Sequence, residues 1–234
     1  KLSNIPVVIH ESDITPGLAN KIATPFAEHI FTVFEETLKY IPRDKSSAIG
    51  AIIRPDLFQG DEKIARELTG FSPFKETIIV MGGSQGSKSI NAAIKDNIDT
   101  LTKRFQIIHL CGKGNLDPSL MDKPNYKAFE YVTDELPHLL KITNYVISRA
   151  GSNSIFEFLE LKKPMLLIPL SKNASRGDQV LNANFFEKLG YAIVLEEESL
   201  TAETFMNSLS ALALTKEKII DAKLAKAFKE STEF

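Results

Sequence analysis

Apolar residues in this chain recur in two alternating rhythms, and the alternation predicts the architecture. Short, near-continuous runs at Thr77–Met81, Phe105–Leu110, Tyr126–Tyr131, Tyr145–Ser148, Met165–Ile168 and Tyr191–Leu195 read as strands. Between them, apolar spacings of three and four predict helices over Ser87–Leu101, Glu135–Lys141, Ile155–Leu161, Asp178–Leu189 and Ala202–Leu212. A run such as Met165-Leu166-Leu167-Ile168 has no polar side, so it must be covered on both faces. Strands alternating with helices then predict an α/β fold with a doubly wound parallel sheet. In such sheets ligands bind outside the carboxyl ends of the strands.

Upstream of residue 55 the rhythm is shorter. Strands are expected at Pro6–His10, Ile30–Phe34 and Ala48–Ile53, with helical stretches over Leu18–Phe26 and Glu35–Tyr40. Arg54-Pro55 marks the division. A segment of this size is marginal for a core of its own. Residues 1–54 are therefore expected to be the incomplete end of a larger α/β domain, and residues 55–215 a second domain. The charged, amphipathic stretch 216–234 is expected to be a helix that would cross back to the first domain. The chain lacks an initiator Met and enters a strand almost at once, as a fragment would.

Composition narrows the class without naming a function. Hydrophobic residues at 43%, charged residues at 25% and a net charge of −2 describe an ordinary globular protein with no expected nucleic-acid partner. A single cysteine, Cys111, excludes an internal disulfide and suits a reducing compartment. No apolar run approaches the roughly 18 residues of a membrane span, and no secretory pattern opens the chain.

The chemistry concentrates in loops at predicted strand ends. Ile78-Ile79-Val80-Met81 breaks into Gly82-Gly83-Ser84-Gln85-Gly86-Ser87, and a helix follows. Glycines let backbone N–H groups approach a ligand, and the helix start carries partial positive charge, so a phosphate or diphosphate fits. The loop is neither the dinucleotide fingerprint nor a P-loop.

A second loop, Ser148-Arg149-Ala150-Gly151-Ser152-Asn153-Ser154, precedes Glu157. Ser154 and Glu157 fit a capping box; alternatively the loop faces an anion and Glu157 accepts two hydrogen bonds from a ribose diol. In Pro169–Gln179, Asp178 is the expected N-cap of a helix bearing Leu181, Phe185 and Leu189 and stopped by Gly190. Gln179 and Asn182 then either read sugar hydroxyls or lie on a solvated helix start. His10-Glu11-Ser12-Asp13 is a polar turn after a strand, for which an Asp cap suffices. His29, His109 and His138 lack metal-ligand spacing, so no metal site is expected. Cys111 has no nucleophile context, and Lys113 is a phosphate contact or a turn residue.

Taken together, Gly-Gly-Ser-Gln-Gly (82–86), Ser-Arg-Ala-Gly-Ser (148–152), Gln179-x-x-Asn182-Ala183, His-Glu-Ser-Asp (10–13), Pro16-Gly17-Leu18 and Lys-Pro-Met-Leu-Leu-Ile-Pro (163–169) resemble the MurG family. These are N-acetylglucosaminyltransferases that convert lipid I to lipid II in peptidoglycan synthesis. The resemblance implies a GT-B fold of two Rossmann-like domains facing across a cleft, UDP-GlcNAc as donor, lipid I as acceptor and no cofactor. It implies peripheral attachment at the cytoplasmic face of the bacterial plasma membrane. It also places Arg54 near the nucleotide, Gly83, Ser84 and Gln85 on the diphosphate, and the Val132 backbone on the uracil. Gly151, Ser152, Asn153 and Ser154 would line the ribose and phosphates, Glu157 would hold the ribose hydroxyls, and Gln179 and Asn182 would read the sugar.

The sequence departs from the family at several of these positions. Asp13 stands where many members have Asn, Ser154 where others have Thr, and Gly50-Ala51-Ile52-Ile53-Arg54 replaces a Gly-Asn-Pro-Val-Arg hinge. A general base would have to be His10 or Asp13, and neither is assigned. The piece is expected to bind donor without turning over. The alternatives are another GT-B transferase, such as a diacylglycerol glucosyltransferase or the donor subunit of a split enzyme, and a non-catalytic sugar-nucleotide-binding module.

Overall fold

The computed structural model describes residues 5–83 and 85–221, with side chains to residue 217. Of the expected sites, Ser84 lies outside the described residues, as does most of the expected helix over 216–234.

The upstream segment forms a small parallel sheet of β1 (Val8–Glu11), β2 (His29–Thr32) and β3 (Ser46–Ala48), in that spatial order. Helix α1 (Leu18–Ala23) and a 3-10 turn (Thr24–Phe26) connect the first pair. The stretch expected as a helix near residue 35 is a 3-10 turn, Glu35–Lys39, and β3 starts and ends earlier than its apolar run. Among the described residues, the private core of this sheet is Ile9, Ala27 and Ile30 with Ala23 and Ile41 against them.

After Arg54 comes α2 (Glu62–Thr69), which the apolar pattern did not predict. Its face is short, but Asp61 caps it by accepting from the Lys63 and Ile64 N–H groups. The expected alternation then follows: β4 (Thr77–Met81), α3 (Lys88–Arg104), β5 (Gln106–Leu110), β6 (Tyr126–Phe129), α4 (Leu136–Lys141), β7 (Tyr145–Ser148), α5 (Ser152–Glu160), β8 (Met165–Leu167), α6 (Asp178–Lys188), β9 (Ala192–Val194) and α7 (Ala202–Asp221). All pairings are parallel, and the strand order is β6-β5-β4-β7-β8-β9. Chain direction across the sheet reverses between β4 and β7. That switch point opens a crevice at the strands' carboxyl ends, between the loops entering α3 and α5.

The two sheets share one core. Phe34, just after β2, is 3% exposed, and its ring lies 5.3 Å from Phe156, 5.4 Å from Phe185 and 5.9 Å from Phe186. Ile14, Val33 and Leu57 join the same cluster as Ile79, Val132, Ile155 and Leu167. Burial against the second unit therefore supplies the apolar contact that the small sheet lacks.

This contact also corrects the expected face of α6. Val180, Asn182, Ala183 and Phe186 are its buried residues, whereas Leu181 and Leu189 are 44% and 45% exposed. Phe185 is half-buried against Phe34. The helix is packed from both the sheet and the upstream segment, so no single stripe of large apolar residues marks its inner side. Gly190, at φ +79°, stops it as expected, with the Gly190 and Tyr191 N–H groups donating back to Glu187 and Phe186. No described helix is long and apolar enough to cross a membrane.

Candidate functional site at the strand switch point

A cleft of about 320 Å³ opens at the carboxyl ends of β4, β5 and β6, and Arg54, Gly83, Val132, Ser154 and Glu157 all line it. They come from the inter-sheet connection, the β4–α3 loop, the segment after β6 and the first turns of α5. Three more acidic residues, Asp56, Glu130 and Asp134, share the wall with Tyr131 and Thr133. Sequence reasoning missed these; their one signal was position, since they flank Val132 and Arg54. A wall with four carboxylates and one guanidinium favours groups that donate hydrogen bonds, such as a ribose diol or a base N–H. It disfavours a phosphate, for which backbone N–H groups at a helix start are the better partner.

Glu157 is not a cap. Helix α5 begins at Ser152 with Gly151 in the N-cap position and no side-chain capping bond, so Ser154 already sits in the first turn. The capping-box expectation fails because the helix starts earlier than the apolar run. That frees Glu157, whose side chain is 16% exposed, and its Oε1 accepts from Arg54 Nε at 3.1 Å. Arg54, half-exposed, also lies 3.8 Å from Asp56.

The side formed by the two glycine loops is built from backbone. Gly86 has φ +75°, and a Cβ there would stand 1.9 Å from the Cys111 carbonyl oxygen; one on Gly112 would stand 2.3 Å from the Gly86 nitrogen. Two glycine turns therefore interlock where no side chain fits. Gly83 and Gly151 face the opposite situation, with nothing within 4 Å of an added Cβ. Space for a ligand group lies directly over both loops. Gln85 and Asn153 are exposed and Ser152 is buried, while Lys113 is an exposed turn residue between Gly112 and Gly114.

At the start of α6, away from the cleft, the sugar-facing expectations divide. Asn182 is fully buried, its Nδ2 donating to Asp13 Oδ1 at 2.9 Å and to the Ala150 carbonyl at 3.3 Å, while its Oδ1 accepts from the Ile14 N–H at 3.4 Å. It ties the upstream β1–α1 loop to the start of α5; both of its N–H donors are taken and the side chain is closed off from solvent. Gln179 accepts from the Leu170 N–H at 2.9 Å and does not line the cleft. Asp178 is the first residue of α6, with Gly177 at the N-cap, and it sits 3.5 Å from Arg176 instead of capping.

Of the two base candidates, His10 points to the exposed face of β1 and does not line the cleft. Asp13 lies 3.8 Å from Arg176 and is held by Asn182; burial raises its carboxyl pKa above the ordinary value, partly opposed by the Asn182 hydrogen bond. The organiser of that loop is Glu11, 5% exposed, which accepts from the Asp13 and Gly17 N–H groups and from Asn20. Among the described residues no cluster of His, Cys, Asp and Glu could hold a metal. His109 is buried between Tyr126 and Asn91, where burial lowers its pKa to about 4.

Residues 77–233 match the family model of the glycosyltransferase family 28 C-terminal domain. The chain is 55% identical over 221 residues to the UDP-N-acetylglucosamine--N-acetylmuramyl-(pentapeptide) pyrophosphoryl-undecaprenol N-acetylglucosamine transferase of Clostridium botulinum, covering 94% of this chain and 62% of that one. A relative of the same name in Clostridium tetani is 52% identical over 228 residues, covering 97% of this chain and 64% of its own length. The chain thus spans somewhat under two thirds of the curated relatives it matches. A crystal structure of Acinetobacter baumannii MurG superposes with a TM-score of 0.67 at 21% identity, over 96% of this chain and 63% of that one. The glycotransferase of kitacinnamycin gives 0.66 at 17% identity, over 88% of this chain and 51% of its own. These likenesses speak for the fold. By the match over its second sheet, the chain belongs to glycosyltransferase family 28, whose C-terminal domain it carries.

Proposed function

We propose that this chain is the donor-binding part of an inverting transferase that moves N-acetylglucosamine from UDP-GlcNAc to the muramyl 4-hydroxyl of lipid I, yielding lipid II for the cell wall. The observation that carries the reading is the cleft itself. Arg54, Gly83, Val132, Ser154 and Glu157 come from four separate segments yet share one wall. The relatives' printed names supply the two substrates. Residues 1–54 would be the end of the acceptor-binding domain, residues 55–215 the donor domain and residues 216–234 a closing helix. The whole protein would act peripherally at the cytoplasmic face of the plasma membrane, where lipid I is presented.

The uracil would lie against the Val132 backbone, and the ribose hydroxyls would donate to Glu157. The diphosphate would sit over Gly83 and Gly151, at the starts of α3 and α5. Cleavage of the sugar–phosphate bond leaves negative charge on UDP, and fixed N–H dipoles at two helix starts stabilise it without rearranging. The acceptor hydroxyl then attacks from the opposite face of the sugar ring. Gln179 remains the sugar-reading residue of this scheme, whereas Asn182 acts as a buried tie. No general base is assigned within the chain, so this piece would bind donor and not turn over.

Calorimetry with UDP-GlcNAc, UDP-glucose and UDP tests the reading. Preference for the N-acetyl sugar is the expected result. A preference for UDP-glucose would favour a different GT-B transferase, and no nucleotide binding would leave a non-catalytic module.

A further inference from the structure

One partly buried ion pair joins the segments that follow β4, β7, β8 and β9, and neither partner lines the cleft. Arg149, directly after β7, keeps a side-chain exposure of 12%, and Glu197, in the 3-10 turn before α7, keeps 19%. One guanidinium nitrogen of Arg149 donates to the Ile168 and Pro169 carbonyls beyond β8, at 3.2 and 3.1 Å. The other terminal nitrogen, with two hydrogens to share, lies within hydrogen-bond distance of Ser87 Oγ at 2.7 Å, Ser89 Oγ at 3.2 Å and Glu197 Oε1 at 2.5 Å. Glu197 also accepts from the Ser89 hydroxyl and, through Oε2, from the Ser171 N–H at 3.0 Å. Ser87 in turn is the N-cap of α3, accepting from the Ile90 N–H.

This network has a definite address. It grips the first turn of α3, the residue after β7 and the loop after β8, the backbone that faces the diphosphate half of the proposed donor site. None of its hydrogen bonds reaches Arg54, Val132 or Glu157, which would serve the nucleoside half. Arg149's charge is compensated internally, so it is not presented to a phosphate. Burial alone would raise the Glu197 pKa, but the hydrogen bonds from Arg149, Ser89 and the Ser171 N–H outweigh it and hold the group ionised.

We infer that Arg149 and Glu197 are positioning residues that lock the α3 helix start and the β8–α6 loop into the geometry that receives the donor's diphosphate. The inference rests on the donor-site reading above and deepens it. Glu197 would touch no substrate and would act through Ser87, Ser89 and Ser171. Removing its charge leaves the partly buried Arg149 guanidinium without this counter-ion, and the serine cap loses its anchor.

The test is a comparison of ligands in the full-length protein, with binding measured by calorimetry for UDP and UDP-GlcNAc and by NMR titration for uridine. Glu197→Ala is expected to weaken UDP and UDP-GlcNAc by roughly tenfold, the scale of one charge-assisted anchor, while uridine binds as in the parent. Glu197→Gln, which retains an acceptor for Ser89 and Arg149, should recover part of the loss. Ser89→Ala, a milder cut in the same network, should show the same split and decides the matter if Glu197→Ala does not fold. An equal loss for UDP and uridine overturns the inference, because the pair then only supports the fold. Unchanged or tighter UDP binding also overturns it, since Arg149 is then a phosphate ligand that Glu197 restrains. If the parent binds neither UDP nor UDP-GlcNAc, the donor-site reading fails and takes the inference with it.

Discussion

Replacing Glu157 by glutamine separates its proposed ribose-binding role from a merely structural one. In the free protein its carboxylate, 16% exposed, accepts one hydrogen bond from Arg54, itself half-exposed. An ion pair that open to solvent contributes at most about 1 kcal/mol, so displacing Arg54 costs the ligand little. Each hydrogen bond from a ribose hydroxyl to a carboxylate contributes roughly 1.5–3 kcal/mol. Glutamine keeps one acceptor and loses the other, and it also relieves the competition with Arg54. The net expectation is a loss of about 1.5–2 kcal/mol, roughly 10- to 30-fold in the Kd for UDP.

Calorimetry with UDP and 2′-deoxy-UDP on both proteins closes a thermodynamic cycle. The parent should lose affinity when the 2′-hydroxyl is removed, and Glu157→Gln should lose much less. If both proteins discriminate against the deoxy ligand by the same factor, Glu157 does not hold the ribose and the orientation of the nucleotide in the cleft is wrong.

Three further outcomes are expected. Phe34→Ala empties a site 3% exposed amid three rings and should cost about 3–5 kcal/mol in denaturant unfolding; a loss under about 1 kcal/mol would mean that the upstream sheet does not depend on the shared core. Gly86→Ala places a Cβ 1.9 Å from the Cys111 carbonyl at φ +75°, so it should cost about 3 kcal/mol or more and weaken UDP binding, whereas Gly151→Ala, with nothing within 4 Å, should leave the melting temperature nearly unchanged. His109 has its folded-state pKa lowered to about 4 from an ordinary value of 6.5, so the folded protein prefers the neutral ring. Its contribution is intact above pH 6.5 and is lost as pH falls toward 4, a loss of about 2–3 kcal/mol by pH 4.5. Urea midpoints at pH 7.5 and 4.5 should therefore fall further for the parent than for His109→Gln, and equal slopes would refute the assignment.

Much of the cleft was legible because its parts are local. A buried strand running into Gly82-Gly83 and then a helix announces itself in one short stretch, and the second glycine loop with Glu157 does so again. What failed were statements that depend on where a helix begins or which way it faces. Ser154 and Asp178 both looked like N-caps, yet each helix begins at or before that residue, with Gly151 and Gly177 in the cap positions. Helix α2 went unseen because its apolar face is short, although Asp61 and Gly70 bracket it. Asn182 looked like a sugar reader because an amide on a helix's first turns is usually free. The arrival of Asp13 and Ile14 from a distant segment, with the Ala150 carbonyl, buries the amide and takes both of its N–H donors.

By itself, then, the order of residues determined the parallel alternation of strands and helices, the break near Arg54 and the glycine loops at the strand tips. Those follow from hydrophobic periodicity and backbone freedom, which act over a few neighbouring positions. Tertiary structure alone decided that the upstream sheet shares its core through Phe34, that Arg54 reaches Glu157, and that Arg149 closes on Glu197. Each of these joins residues far apart in the chain, and no local pattern encodes which distant partner a buried ring or charge will meet.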